Sequence, residues 1–146
     1  MTFDSRTECC IVTLLPAARD YARKLMVACL ADGIRLKIIS GSRTYAEQDS
    51  LYARGRTVPG LVVTDERGGY SWHNFGIAWD IGIFDGNGHY IRESHLYARA
   101  GEIGKSLGLE WGGDWYSRPE EWHFQLKIGL GIAQCREIVA AGFMVI

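Results

Sequence analysis

Residues 71–80 read SWHNFGIAWD, and residues 120–125 read EEWHFQ. The chain has four histidines, and each of these stretches sets one beside a tryptophan: His73 after Trp72, and His123 after Trp122. The run 77–84 is strand-like and apolar except for Asp80. Side chains alternate between the faces of a strand, so Asp80 shares a face with Ala78 and Gly82 while Trp79 and Ile81 point the other way. The small neighbours leave room beside Asp80, which suits an inward-facing ligand. An unpaired carboxylate in such a run is costly to bury. Either an arginine such as Arg43 or Arg99 neutralises it, or Asp80 joins His73 and His123 around a metal ion. Taken alone, each histidine is more simply read as a hydrogen-bonded core or surface residue. His89 and His95 follow a turn, read as exposed, and are left out of the set.

Upstream of this stretch, residues 16–32 read as a helix. Ala18, Tyr21, Ala22, Leu25, Ala28 and Cys29 recur at three- and four-residue spacing, and Gly33 follows as a stop. IRLKIIS (34–40) alternates apolar and basic residues as a half-buried strand does, and it places Arg43 just beyond a strand end. Thr44 and Glu47 have capping-box spacing for a short helix over 46–54, which Gly55 can end. Residues 56–70 hold Pro59, Gly60, Gly68 and Gly69 around a short LVV piece, the composition of a long loop or flap. Downstream, Asp85-Gly86-Asn87-Gly88 predicts a hairpin turn into His89-Tyr90-Ile91. Helices are expected over 95–107 and 132–141, and a short strand over 121–126. Helices flanking a few antiparallel strands make the class α+β.

Composition narrows the function. A length of 146 residues fits one domain with a sizeable core. Apolar residues at 47% and charged residues at 23% are the balance of a globular chain. Lys+Arg of 16 against Asp+Glu of 17 leaves a net charge of −1, without the basic excess that nucleic-acid binding favours. No apolar run approaches the ~20 residues that cross a bilayer, so no membrane span is expected. The start MTFDSRTECCIVTLLPAARD lacks the basic and long apolar segments of a secretory signal, so cytoplasmic synthesis is expected. Cys9, Cys10, Cys29 and Cys135 form no C-x-x-C pair, and free thiols are expected.

Catalytic zinc takes three side-chain ligands and leaves a fourth position open. His73, Asp80 and His123 supply the required types, whereas an HExxH helix is absent. Such a site needs a carboxylate base for the attacking water. Glu120 stands three residues before His123 and Glu121 two before it, and spacing alone does not separate them.

The motifs resemble a known family. SWHNFGIAWD fits the S-x-H-x-x-G-x-A-x-D pattern of the D-Ala-D-Ala dipeptidase and carboxypeptidase superfamily, the VanX and VanY type zinc peptidases, through Ser71, His73, Gly76, Ala78 and Asp80. EEWH matches its E-x-x-H. SGSRTYAEQDSLYARGR (40–56) and SLGLEWGGDW (106–115) resemble its L-alanyl-D-glutamate endopeptidase branch, which includes phage endolysins and bacterial cell-wall hydrolases. Together these stretches cover most of residues 34–126.

The resemblance implies a small antiparallel sheet with flanking helices, the fold shared with the Hedgehog domain, and one zinc per chain on His73, Asp80 and His123. It implies Glu120 as general base, Arg43 as the cation meeting the developing oxyanion, Ser71 near the substrate, and Gln48 and Tyr52 as supports of Arg43. The expected partner is a peptidoglycan stem peptide, cleaved between L-alanine and D-glutamate by a monomer. Residues 1–146 are expected to form a single catalytic domain without a wall-binding module. The expected place of action is the wall or periplasm, reached through a holin or a secretion system. The alternatives are D,D-carboxypeptidase or D-Ala-D-Ala dipeptidase activity and, from another class, a non-catalytic zinc-stabilised binding module. The D-glutamate carboxylate calls for a cation. Arg54, Arg56 and Arg67 lie near the flap, although solvated loop charges explain them more simply.

Overall fold

The apolar run carrying Asp80 is the middle of the sheet. In the computed structural model, which describes residues 2–146, strand β2 (Ala78–Phe84) pairs antiparallel with β1 (Leu36–Ser40) on one side and β5 (His123–Gln125) on the other. β4 (Glu110–Trp111) extends the sheet beyond β5, giving the order β1-β2-β5-β4, and β3 (Tyr90–Ile91) pairs with the far end of β2. The expected hairpin turn links β2 to β3, and the α+β class holds. Register does the rest of the positioning: Asp80 lies opposite His123 in β5 and opposite Ser40 in β1, where a bulge between Ile38 and Ser40 ends the regular ladder.

The two faces of β2 divide the labour. Trp79, Ile81 and Ile83 are fully buried against α2 (Pro16–Ala31) and its neighbours, which contribute Ala18, Ala22, Leu25, Met26 and Cys29. Helix α4 (His95–Ser106) packs on α2 and β4, with Gly104 set so close to Phe124 that a Cβ there would stand 2.5 Å from the ring. Truncating a core isoleucine such as Ile81 to alanine would cost ~2–5 kcal/mol. The other face of β2 carries Asp80. Gly82, expected to leave space beside that carboxylate, has its space filled by Tyr90, Ile39 and Phe84 instead. The hairpin, not the site, uses that gap.

Helix α3 (Tyr45–Ala53) begins in the expected capping box, with Thr44 accepting from the Glu47 N–H and Glu47 accepting from the Thr44 N–H. Helix α5 (Ile132–Ala140) closes the chain. A first helix, α1 (Ser5–Val12), was not anticipated from sequence, because eight residues rich in Thr, Cys, Ile and Val carry little helix signal of their own. Tertiary contacts hold it. Buried Thr7 accepts from the Ile38 N–H at 3.1 Å and donates to Asp4, satisfying a backbone donor on the open edge of β1.

Glu8 of α1 takes both guanidinium nitrogens of Arg23 on α2, at 3.0 and 2.6 Å, and accepts from the Phe3 N–H. These bonds, Arg23 first, lower the Glu8 carboxyl from 4.5 to about 2. A depressed carboxyl stabilises the fold above its unfolded pKa and loses that effect as pH falls through the folded value. Glu8→Gln therefore lowers the melting temperature at neutral pH, and the gap to the parent closes as pH falls from about 4.5 toward 2. Paired thermal melts across that range check it.

Candidate metal centre

His73 sits in a 3-10 helix, Trp72–Phe75, that Ser71 caps by accepting from the His73 N–H at 3.2 Å. Gly76 then turns the chain into β2 at φ +76°, and a Cβ there would meet Leu15 at 2.6 Å, so glycine is needed on both counts. Asn74 locks this turn to the end of β1, accepting from the Gly69 and Ser71 N–H groups and donating to the Arg43 carbonyl. The Arg43 N–H donates to the His73 carbonyl at 2.8 Å. The loop that carries one histidine and the strand end that carries the arginine thus form one unit.

His73, Asp80 and His123 converge, their donor atoms all within 4.8 Å of one another. Asp80 Oδ1 lies 3.1 Å from His73 Nε2 and 3.2 Å from His123 Nδ1. The outer nitrogen of each ring is committed. His73 Nδ1 donates to the Gly41 carbonyl at 2.8 Å, and His123 Nε2 donates to Gln125 Oε1 at 2.8 Å. In the neutral ring each inner nitrogen is therefore the one left with a lone pair, the tautomer a metal ligand needs, and in the charged ring it donates to Asp80. Burial alone would raise the Asp80 carboxyl, but the charge and hydrogen bonds of the two imidazoles, in their charged form, outweigh it and hold the group ionised well below the usual carboxylate range. Burial likewise works against charge on His123, yet Asp80 more than offsets it and raises its pKa. Two nitrogen lone pairs and one ionised oxygen make a site that calls for a cation. Ligands at about 2.1 Å from a tetrahedral zinc stand ~3.4 Å apart, close to the 3.1 and 3.2 Å that separate Asp80 Oδ1 from the two ring nitrogens. The residues fit zinc.

The group opens onto a cavity of about 970 Å³, which Arg43, Ser71, Trp72, Trp115, Arg118 and Glu120 help to line. Glu120 Oε2 lies 3.6 Å from His123 Nδ1, and burial raises the Glu120 carboxyl above its ordinary value. Its backbone is pinned: the Glu120 N–H donates to Gly112 and its carbonyl accepts from His123. Gly112 packs so tightly there that a Cβ would reach 2.6 Å from the Glu120 carbonyl oxygen. Glu121 is exposed, its backbone carbonyl accepting from the Trp111 indole at 2.8 Å. Spacing left the two glutamates equal; the turn separates them.

Arg43 reaches Asp80 Oδ2 at 3.5 Å and donates to Ser40 Oγ at 2.9 Å and to Gln48 Oε1 at 3.0 Å. Gln48, fully buried, donates onward to Thr64 and to the Glu66 carbonyl, so one amide ties the arginine to the flap. Tyr52, grouped with Gln48 by resemblance, instead stacks beneath Arg56 at 3.8 Å. Arg99 pairs with Asp32, away from the site, and His89 and His95 are exposed. Arg56 is held by the Tyr52 and Thr64 carbonyls, Arg67 lies over Tyr70, and neither lines the cavity; Arg54 lines a separate cleft. Of the tryptophans, Trp79 is core, while Trp72, Trp115 and Trp122 line the cavity. Sequence reading missed Gln125 and Arg118. The alternation of His123 with Gln125 in EEWHFQ was the available signal for the first, and the spacing of Arg118 two before Glu120 for the second.

A family profile described as D-alanyl-D-alanine carboxypeptidase matches residues 64–126. The chain is 36% identical over 122 residues to the peptidoglycan L-alanyl-D-glutamate endopeptidase CwlK of Bacillus subtilis (strain 168), covering 77% of this chain and 73% of that protein. The fold matches the L-Ala D-Glu endopeptidase ChiX of Serratia marcescens with a TM-score of 0.63 at 20% identity, over 88% of this chain and 92% of that one. It also matches the D,D-pentapeptidase VanY of a VanB-type resistance cassette, solved with Zn(II), with a TM-score of 0.58 at 22% identity, over 90% and 81% of the two chains.

If this group holds zinc, His73→Ala and Asp80→Ala should each abolish stoichiometric zinc uptake, read by elemental analysis after dialysis. Gln125→Leu keeps the three candidate ligands but frees the His123 ring, and it should weaken zinc affinity by roughly 10- to 100-fold in chelator competition.

Proposed function

The chain belongs to the D-alanyl-D-alanine carboxypeptidase family of peptidases, and from that premise we propose that it cleaves the peptide stem of bacterial peptidoglycan between L-alanine and D-glutamate. His73, Asp80 and His123 would hold the zinc. The observation that carries the reading is the position of Glu120 and Arg43, two groups of opposite charge beside the same histidine–aspartate group on one cavity wall. The choice of bond rests on the similarity to CwlK. The acting unit in this proposal is a monomer with a single catalytic domain.

Zinc, when bound, supplies a Lewis acid that makes water nucleophilic at neutral pH and polarises a carbonyl. Glu120 takes the proton from the attacking water at a carboxylate oxygen. It then returns that proton to the amine nitrogen as the carbon–nitrogen bond breaks. Arg43 faces the scissile carbonyl oxygen as it gains charge. Its guanidinium is already fixed by Ser40 and Gln48, so little reorganisation is needed at the moment of reaction. Ser71 orients His73 through its backbone and lines the cavity where the substrate backbone would lie.

The profile description favours a second reading, removal of D-alanine from the stem terminus. Mass spectrometry of digested sacculi separates the two: a new N-terminal D-glutamate marks the endopeptidase, and free D-alanine or its dipeptide marks the alternative. Glu120→Ala should retain zinc and lose about 10²- to 10⁴-fold in turnover. Arg43→Ala should lose about 10²- to 10³-fold, whereas Glu121→Ala stays near the parent. Undiminished hydrolysis by zinc-loaded Glu120→Ala would overturn the role of Glu120.

A further inference from the structure

Two cationic side chains line the metal cavity among the described residues, Arg43 and Arg118. Arg43 is committed to the metal group, with Ser40, Gln48 and Asp80 around its guanidinium and its remaining donors assigned to the scissile carbonyl. Arg118 is not. Its one ion pair joins Nη1 to Asp65 Oδ2 at 2.8 Å, and both side chains are largely open to water. An exposed pair of this kind is worth little on its own. Asp65 would not be left bare by its loss, since Arg56 also reaches it, at 3.4 Å. The pair spans the cavity mouth, linking the flap that bears Asp65 to the loop that bears Glu120.

The backbone at Arg118 is distinctive. Its φ of +55° is the only positive value at a non-glycine residue among the described residues. A side chain with a Cβ is disfavoured in that region, and such conformations collect at ligand-binding positions. Pro119 follows, so the turn from Arg118 into Glu120 is stiff. Two residues of extended chain span at most about 7 Å, which keeps the Arg118 backbone close to that of Glu120.

We propose that Arg118 is the specificity residue that receives the free carboxylate of the D-glutamate beside the scissile bond, exchanging Asp65 for the substrate. The inference rests on the reading of the substrate given above. A D-glutamate residue joined through one of its carboxyls keeps the other, and that anion needs a partner the cavity does not otherwise provide. The planar guanidinium can hold it through two parallel hydrogen bonds. Asp65 then serves as a stand-in that keeps Arg118 at the mouth when no substrate is present.

The test uses zinc-loaded enzyme and two matched L-alanyl-D-glutamyl peptides, one with the free carboxylate and one with its carboxamide. The parent should prefer the acid by about 10- to 100-fold in kcat/KM, the range of a charge-assisted bond. Arg118→Ala should remove that preference by raising KM for the acid, with kcat held within about threefold and the amide unaffected. Arg118→Lys should restore part of it, and Asp65→Asn should leave KM for the acid unchanged or lower. Equal losses on both peptides in Arg118→Ala, or the same loss in Asp65→Asn, would make the pair a structural latch and overturn the proposal. A parent that cleaves both peptides without preference overturns the role of Arg118 alone. A parent that cleaves neither overturns the bond assignment as well.

Discussion

An ionised carboxylate at the centre of a sheet is the constraint on which the structure turns. Asp80 stands on the middle strand, almost wholly removed from water, and a lone charge there would be prohibitive. Two imidazoles and a guanidinium converge on it from three other parts of the chain. The 3-10 turn with His73, strand β5 with His123 and the bulged end of β1 before Arg43 are each where they are because Asp80 is where it is. In the other direction, the carboxylate stays charged because those groups are held in place.

The supports show how little freedom the site has. Gly41 and Gln125 fix the two rings from behind, and each bond decides which nitrogen faces Asp80. Asn74 ties the His73 turn to Arg43, and Gln48 ties Arg43 to the flap. The far face of β2 does nothing chemical, yet it anchors the strand: Trp79, Ile81 and Ile83 are fully buried against the helices. The Trp79 indole nitrogen has no hydrogen-bond partner, a cost the core absorbs. A rigid core on one face and a polar cluster on the other is what lets one strand serve both stability and chemistry.

Much of this was legible in the chain, for reasons that differ by element. Helix α2 announces itself by periodicity, α3 by its capping box and the β2–β3 hairpin by its turn residues, all signals confined to a few neighbouring positions. Helix α1 gave no such signal because Thr7 and Glu8 acquire their partners, Ile38 and Arg23, only after folding. Gly82 was legible as small but not as the seat of Tyr90, and Tyr52 shares a motif with Gln48 yet carries Arg56. The types of the metal-binding side chains could be read in order along the chain. Their second partners could not, apart from the alternation that hints at Gln125.

By itself the sequence determined the α+β class, the candidate set His73, Asp80 and His123, the strand end bearing Arg43 and two candidate glutamates. Those depend on residue type, alternation and local turns, which a linear string contains. Tertiary structure alone decided which glutamate faces the cavity, since that follows from a backbone pinned at Gly112. It decided which ring nitrogen each histidine offers, since that follows from acceptors at Gly41 and Gln125. It also brought Arg118 opposite Asp65 across the cavity mouth. Each of these depends on strand register and loop contact between distant segments, and the chain acquires those relations only when it folds.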